Sequence, residues 1–414
     1  MNIRKRTVCR LCDSPAVELV CPLKPTPIAE KYRATLEDAQ QIPSVSLDMY
    51  RCTSCGHVQL LDLVDSSFLF DADYTYRSGQ TRGIIEHFQK YAGDAWNRLG
   101  LKAGDLVAEV GSNDGTLLSE FKARGARVIG VDPACTIAQE AISRGVETIT
   151  GFFTPEVAVQ IKAKHGNAKL VVANNVFAHA DDLQSIAYGI SQLLAEDGVF
   201  MFEVSYVKDV LDHCLLGTIF HEHFSYHAVK PMQTFLRRYG MELFHVERNT
   251  IQGGSIVMSA RAATAPHTTD ASLTEILAME ESTGLNSRSA LEGFAEKLRK
   301  LEEQTIEFVR RVKKEGKTIA GFGAARSGTT LIAQLEIGDV IDCIFDDHPD
   351  KAGKYSAGFG IPVYKTSEIA TRKPDFIIIL AWVFAKKIMA SNPAYTEGGG
   401  QWVTCVPELQ INPV

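Results

Sequence analysis

Two histidines and a glutamate stand side by side at His221-Glu222-His223, and this tripeptide carries the strongest chemical signal in the chain. Histidine changes charge near neutral pH, so an imidazole can act as a general base that a neighbouring carboxylate orients. The same side chains could instead bind a metal ion, with His213 and His227 as further ligands, or be buried structural groups. The residues themselves leave these three interpretations open.

Four of the nine cysteines form two C-x-x-C pairs. Thiolates at that spacing can surround one zinc ion tetrahedrally, which closes the coordination shell and makes the site structural. We therefore predict a zinc-binding module in which the long segment between the pairs folds into its own strands and the ligands are Cys9, Cys12, Cys52 and Cys55. A redox-active pair is the alternative. The other five cysteines show no pairing pattern and are expected to be small buried residues.

Length and composition exclude several classes of protein. The chain has 414 residues, enough for about two to four domains. Its net charge of -7 argues against a broad nucleic-acid surface. No stretch stays apolar over the ~18 residues that a membrane span needs, and no signal peptide is visible. We expect a cytoplasmic protein without a nucleic-acid or membrane partner.

A glycine loop at residues 109–115 follows an apolar run that predicts a buried parallel strand. Its two carboxylates would repel a pyrophosphate and suit a cationic or amino-acid-bearing cofactor. The next predicted strand ends at Asp132, whose carboxylate can accept hydrogen bonds from both ribose hydroxyls of an adenosine. The pattern resembles the S-adenosylmethionine site of class I methyltransferases, with the candidate residues Glu109, Gly111, Ser112, Asn113, Asp114, Gly115, Asp132, Pro133, Asn174 and Asn175. A dinucleotide-binding unit is the alternative.

A second glycine loop, residues 321–328, follows another predicted strand after a long amphipathic helical pattern. It lacks acidic residues, so backbone N–H groups at the start of the following helix could hold phosphate, with an arginine as a charged partner. We predict a diphosphate-binding site formed by Gly323, Ala324, Arg326, Ser327, Gly328, Asp346, Lys351, Tyr355 and Trp382. A purely structural turn is the alternative.

Together these motifs resemble the three-domain sugar-nucleotide C-methyltransferases, most closely the C-3′ methyltransferases of deoxysugar biosynthesis. The resemblance also covers residues 74–79, 174–179 and 252–255 and spans essentially the whole chain. It implies an α/β fold in which two Rossmann-like, doubly wound domains follow a small zinc module. We expect the module at residues 1–70, the methyltransferase domain at 71–245 and a sugar-nucleotide-binding domain at 246–414. The implied cofactors are S-adenosylmethionine and a structural zinc ion.

The resemblance also implies roles for individual residues. His223 acts as the base, and Glu222, His179 and Tyr76 line the same pocket. Further expected substrate contacts are Tyr74, Ser78 and His221.

The implied substrate is a dTDP- or GDP-linked 4-keto-6-deoxysugar, methylated at C-3 through an enolate. One position departs from the family pattern, which carries a tyrosine where this chain has Phe220. Methylation at C-5, nitrogen or oxygen, and a zinc-module nucleic-acid methyltransferase, stay open as alternatives. A monomer is compatible with the sequence.

Overall fold

The first region of the computed structural model folds around a small antiparallel sheet; the structure describes residues 3–69, 76–80, 83–265 and 269–412. Strands β2, β5 and β6 pair in that order, β1 pairs with β7, and β3 with β4, the elements being β1 (Ile3–Lys5), β2 (Val17–Cys21), β3 (Thr26–Pro27), α1 (Leu36–Gln40), β4 (Ser44–Val45), β5 (Met49–Cys52), β6 (Val58–Leu60), β7 (Asp62–Val64) and α2 (Ser66–Leu69). The segment between the two cysteine pairs therefore forms strands of its own, as predicted.

The middle region alternates strands with helices. Its elements are α3 (Ile84–Leu99), β8 (Leu106–Val110), α4 (Thr116–Ala123), β9 (Arg127–Asp132), α5 (Cys135–Ser143), β10 (Thr148–Thr150), α6 (Pro155–His165), β11 (Ala168–Asn174), α7 (Leu183–Leu193), β12 (Leu194–Ser205), α8 (Val207–Asp212), β13 (Ser225–Tyr226), α9 (Val229–Arg237), β14 (Met241–Asn249), β15 (Ser255–Ala262) and α10 (Ala271–Ser282). Seven strands form one sheet in the order β10-β9-β8-β11-β12-β15-β14. Strands β8 to β12 run parallel and β15 is antiparallel to both its neighbours. The short β13 pairs with β6 and so joins the first region's sheet.

Helices cover both faces of the seven-stranded sheet. On β8, Leu106, Ala108 and Val110 belong to the core that includes α6 and α7, while Val107 belongs to the core with α3 and α4. Successive side chains of a strand point to opposite faces, so a strand covered on both sides is apolar throughout. This explains why the sequence of β8 reads as a continuous apolar run.

The chain reverses its direction across this sheet between β8 and β11. From β8 it continues to β9 and β10 on one side, and it then crosses to β11 and β12 on the other. The loops that leave the carboxyl ends of β8 and β11 diverge, which opens a crevice where ligands bind in doubly wound folds. The predicted division at residues 245 and 246 falls inside β14, and β15 beyond it belongs to the same sheet. The middle sheet therefore extends to Ala262, because the antiparallel pair closes its edge beside β12.

The last region is a second doubly wound sheet. Its elements are α11 (Arg288–Lys314), β16 (Ile319–Phe322), α12 (Arg326–Gln334), β17 (Ile344–Phe345), β18 (Val363–Tyr364), α13 (Ile369–Arg372), β19 (Phe376–Ile379), α14 (Ala385–Ser391), α15 (Pro393–Glu397), β20 (Gln401–Thr404) and β21 (Gln410–Ile411). The strand order is β18-β17-β16-β19-β20-β21, and only β21 is antiparallel. Its chain reversal lies between β16 and β19. The predicted fold class, two doubly wound α/β units after a small cysteine-containing module, is confirmed. Within the described ranges, no helix combines the length and apolar character needed to cross a bilayer.

Candidate active site

The carboxyl ends of the two doubly wound sheets open into one shared cavity of about 900 Å³. Loops after β8, β9 and β11 line one side, and the loops after β16 and β19 line the other. Among the residues predicted from sequence, those lining the cavity are Tyr76, Ser78, Gly111, Asn113, Asp132, Pro133, Asn174, Asn175, His179, His223, Arg326, Ser327 and Trp382. Residues of both glycine loops therefore line one cavity. Tyr74 lies outside the described residues.

The first glycine loop wraps tightly around the carboxyl end of β9. Asn113 has a φ of 50°, and its backbone N–H donates to Asp132 Oδ2 over 2.8 Å. The backbone N–H of Ala134 donates to the other carboxylate oxygen, also over 2.8 Å. Gly111 has a φ of 70°, and a Cβ there would lie 2.4 Å from a Val176 methyl group. Both backbone strain and this close approach require glycine.

Several groups around this loop favour a positively charged ligand. Burial raises the pKa of Glu109 well above its ordinary value, and the nearby carboxylates of Asp132 and Asp114 raise it further. Oε2 of Glu109 makes no hydrogen bond within the described residues, and neither does the buried side-chain amide of Asn174, which lines the cavity. A sulfonium with an amino-acid tail would give the Asn174 amide hydrogen-bond partners in the cavity, and its positive charge would offset the repulsion among the carboxylates behind the loop. The residues present therefore fit S-adenosylmethionine.

Four residues of the predicted donor site do not line the cavity: Glu109, Ser112, Asp114 and Gly115. Asp114 is completely buried and accepts hydrogen bonds from the Gly79 backbone N–H and the Thr116 hydroxyl over 3.1 Å and 2.6 Å. Its carboxylate thus fixes the loop and the start of α4. Of the acidic residues in this pattern, Asp132 lines the cavity and Asp114 stabilises the loop behind it.

His223 is held in one tautomer beside the cavity. Its Nδ1 lies 2.7 Å from the backbone oxygen of Thr218. A carbonyl oxygen only accepts, so in the neutral ring Nδ1 carries the proton and Nε2 keeps its lone pair. Burial lowers the pKa of His223 to about 4, with a further lowering by the Arg326 charge. The imidazole is therefore neutral at pH 7, in the form that can accept a proton.

Two rings surround this imidazole. The ring of His179 meets it edge to face with centroids 4.7 Å apart, and the ring of Phe220 lies 4.1 Å away at 35°. Burial lowers the pKa of His179 well below its ordinary value, and the nearby His223 and Arg326 lower it further. His179 is therefore also neutral at pH 7 and offers one N–H donor. At Phe220 the site has a ring but no hydroxyl.

A buried ion pair joins the two halves of the site. Arg326, the first residue of α12, places Nη1 3.0 Å from Oε2 of Glu222, and the same oxygen lies 3.9 Å from Nδ1 of His179. The guanidinium also lies over the Tyr76 ring, 5.3 Å from its centroid. Burial raises the pKa of Glu222 although Arg326 opposes the shift. Glu222 therefore approaches His179 and Arg326, and it does not line the cavity itself.

The first histidine of the tripeptide, His221, points away from the cavity. His221 is buried, and its Nε2 lies 3.1 Å from the backbone oxygen of Val45 in the first region. It does not line the cavity, and its role as a substrate contact stays a prediction. Residues 221 and 223 thus serve different neighbours because the chain turns between them, where the His223 N–H donates to the Phe220 carbonyl over 2.9 Å.

Six residues of the predicted diphosphate site also lie away from the cavity: Gly323, Ala324, Gly328, Asp346, Lys351 and Tyr355. Asp346 accepts from the Ala324 backbone N–H over 2.7 Å and so supports the second glycine loop. Lys351 Nζ lies 3.0 Å from Glu30 and donates to the Ala324 carbonyl over 2.7 Å. Tyr355 exchanges backbone hydrogen bonds with Arg33. Lys351 and Tyr355 therefore join the last region to the first, a use that neighbouring sequence could not reveal.

The sequence patterns missed several cavity residues. Phe152 and Phe153 line the cavity and follow β10, whose carboxyl end lies at the same edge of the sheet. Their position after a strand could have identified them as cavity residues. Gln252 lines the cavity with a φ of 52° in the motif at residues 252–255. Asp181 lines it two residues after His179. No pattern marked Thr218, which acts through its backbone oxygen.

The four predicted zinc ligands come together. Their sulfur atoms all lie within 4.8 Å of one another, and the Cys9–Cys55 and Cys12–Cys52 pairs are 3.6 Å and 3.5 Å apart. Sulfurs around a tetrahedral zinc ion with ~2.3 Å bonds stand about 3.8 Å from one another. The cluster therefore fits a four-thiolate zinc site, which has no open position for a substrate.

Comparison with known proteins gives three family models in succession along the chain. They are a putative zinc binding domain at residues 9–70, a methyltransferase domain at 84–246 and a C-methyltransferase C-terminal domain at 250–407. The C-methyltransferase NovU of Streptomyces niveus is 35% identical over 410 residues, which cover 99% of this chain and 97% of NovU.

Two solved structures overlap the chain in part. Magnesium protoporphyrin IX methyltransferase from Synechocystis PCC 6803, with bound SAM, is 17% identical with a TM-score of 0.34, covering 45% of this chain and 88% of that one. The PH0226 protein of Pyrococcus horikoshii OT3 is 13% identical with a TM-score of 0.38, covering 48% and 99%.

Proposed function

Since this chain belongs to the family of C-methyltransferases that carry an N-terminal zinc-binding domain, we propose that it methylates C-3 of a nucleoside-diphosphate 4-keto-6-deoxysugar. It is an S-adenosylmethionine-dependent enzyme with a structural zinc ion in its cysteine cluster. The sugar, the position and the enolate route are the proposed part.

The donor would occupy the crevice of the middle sheet. When bound, S-adenosylmethionine supplies an electrophilic methyl group on a sulfonium. Asp132 stands at the end of β9, where its carboxylate can accept hydrogen bonds from ribose hydroxyls. Each of its oxygens would then accept a hydroxyl in addition to the backbone N–H that it already binds. The side-chain amide of Asn174, which lines the cavity, would bind the donor's polar groups.

The observation that carries the proposal is the fixed tautomer of His223. A carbon next to a ketone becomes nucleophilic once it loses a proton, so the reaction needs a neutral base beside the donor. With Nδ1 donating to the Thr218 carbonyl, Nε2 of His223 can take that proton. Its lowered pKa keeps the base unprotonated across the neutral range.

The developing enolate oxygen requires donors, because charge accumulates there as the proton leaves. The N–H of neutral His179 and the Tyr76 phenol both line the cavity and can donate. Phe220 cannot, although it stacks on the base. The oxyanion would therefore be held from the His179 and Tyr76 side of the cavity.

The nucleotide would extend toward the last region. There the N-terminal end of α12 presents Arg326 and Ser327 to the cavity, with Trp382 beside them. A helix N-terminus and an arginine together suit an anionic diphosphate. Lys351 does not line the cavity and pairs with Glu30, so the proposal gives it no phosphate contact.

The test is a mass-spectrometric screen of dTDP-, GDP- and CDP-linked 4-keto-6-deoxysugars with S-adenosylmethionine. We expect a gain of one methyl group for one of them, with loss of deuterium from substrate labelled at C-3. Methylation with full retention of the C-3 label would contradict the position. No product from any keto sugar, while a non-sugar acceptor is methylated, would overturn the substrate class.

A further inference from the structure

An arginine in the zinc knuckle, the turn at residues 9–14, contacts two segments that carry active-site histidines. Arg10 stands directly after the zinc ligand Cys9, and its side chain is completely buried. Its guanidinium donates to the Phe224 carbonyl and the Leu60 carbonyl, each over 2.9 Å, and to the Asp181 carboxylate over 3.0 Å. A further bond of 3.1 Å goes to the side-chain oxygen of Gln59. The planar guanidinium has five N–H donors, and here it forms hydrogen bonds with four different acceptors.

Two of these acceptors belong to the segments that carry the site histidines. Phe224 directly follows His223, and Asp181 comes two residues after His179. The two segments also contact each other, since the Phe224 backbone N–H donates to the Ala178 carbonyl over 2.7 Å. The guanidinium thus bridges both histidine segments to the knuckle.

The knuckle that carries Arg10 depends on the cysteine cluster. Residues 9–14 form a tight turn, in which the Cys9 N–H donates to the Ser14 carbonyl and the Asp13 N–H to the Cys9 carbonyl, over 2.9 Å and 3.0 Å. A zinc ion would fix this turn against residues 52–55 of the second pair. Without it, the two cysteine turns lose the ion that would bind all four thiolates, and the starting point of the Arg10 side chain is held less firmly.

We propose that Arg10 is a positioning residue, through which zinc binding in the knuckle sets the relative placement of His179 and His223. The inference rests on the proposed function for the catalytic roles of the two histidines. Zinc binding would then affect the reaction indirectly, although the zinc ion does not contact the substrate. Outer-shell groups of this kind orient catalytic side chains in many sites.

Arg51 provides a matched control. It directly precedes the zinc ligand Cys52, and it donates to the Asn286 carbonyl over 2.5 Å and to Glu18 over 2.9 Å. Neither acceptor belongs to a histidine segment of the site. Arg10→Lys and Arg51→Lys therefore make the same chemical change beside a zinc ligand, but only the first removes the bridge.

The experiment follows the Cε1 resonances of carbon-13-labelled histidines in the zinc-loaded chain, without substrate. We expect Arg10→Lys to retain one zinc ion and S-adenosylmethionine binding while the His179 and His223 resonances shift, and Arg51→Lys to leave both in place. In turnover assays kcat should fall about 10²-fold for Arg10→Lys, with the KM for the donor unchanged. Zinc-loaded Arg10→Lys with both resonances unmoved would overturn the proposal.

If Arg10→Lys does not fold, the proposal is tested on the unmodified chain by metal substitution. Replacing Zn²⁺ with the larger Cd²⁺ should shift the same two histidine resonances, and their constancy would overturn the inference. A failure of the proposed function is distinguishable, because it would leave every keto sugar unmethylated while the resonances still report the coupling.

Discussion

The ion pair between Glu222 and Arg326 is expected to hold the two halves of the active site together. Their side chains are 5% and 18% exposed. Removing one partner of a fully buried pair costs about 3–5 kcal/mol, but Arg326 can turn toward water in the cavity. We therefore expect Glu222→Gln to lower the free energy of unfolding by about 1–3 kcal/mol.

Replacing the arginine of the pair instead, as in Arg326→Met, should make the free energy of unfolding depend on pH. Burial raises the pKa of Glu222, and Arg326 opposes that shift. In Arg326→Met the folded pKa rises further, so the folded state binds a proton that the unfolded state releases. The destabilisation should therefore grow as pH rises from the ordinary glutamate value through the raised one, and Glu222→Gln should abolish this dependence.

The assay is urea denaturation of both single variants and the double variant at several pH values. The double variant should lose at least about 1 kcal/mol less than the sum of the single losses. Glu296→Gln, which breaks an exposed pair with Arg299, is the control and should have no measurable effect. Additivity of the two changes within about 0.5 kcal/mol would refute the bridging role.

Three further outcomes are expected. His223→Asn can still donate to the Thr218 carbonyl, so donor affinity measured by calorimetry should be retained while kcat falls about 10²–10⁴-fold; turnover near that of the unmodified enzyme would exclude His223 as base. Burial lowers the pKa of His221, His223 and His227 to about 4. Their contribution to the free energy of unfolding should therefore be complete above the ordinary pKa of 6.5 and decline as pH falls toward 4. Denaturation curves that are constant across this range would contradict it. Cys52→Ser should lose zinc by metal analysis and lower the Tm, since it removes one of four thiolates.

The polar ends of the strands were predictable because parallel strands place their carboxyl ends at one edge of a sheet. Asp132 and Asn174 were both found in this way, and both line the cavity. The cysteine pairs were predictable for a similar reason, since tetrahedral coordination restricts spacing.

Contacts between regions could not be predicted from local patterns. Lys351 looked like a phosphate ligand but pairs with Glu30, and His221 faces Val45 rather than the cavity. Each partner lies far away in the chain, and its position depends on how the regions pack. The same packing brings the two glycine loops to one cavity, although their sequences suggested two separate sites.

The most direct test of the account is proton exchange at C-3 without methyl transfer. The enzyme is incubated in D₂O with its keto-sugar nucleotide and S-adenosylhomocysteine, and deuterium at C-3 is measured by mass spectrometry. The account predicts that the unmodified enzyme introduces deuterium and that His223→Asn does not. Equal exchange by both proteins would contradict the assignment of proton removal to His223.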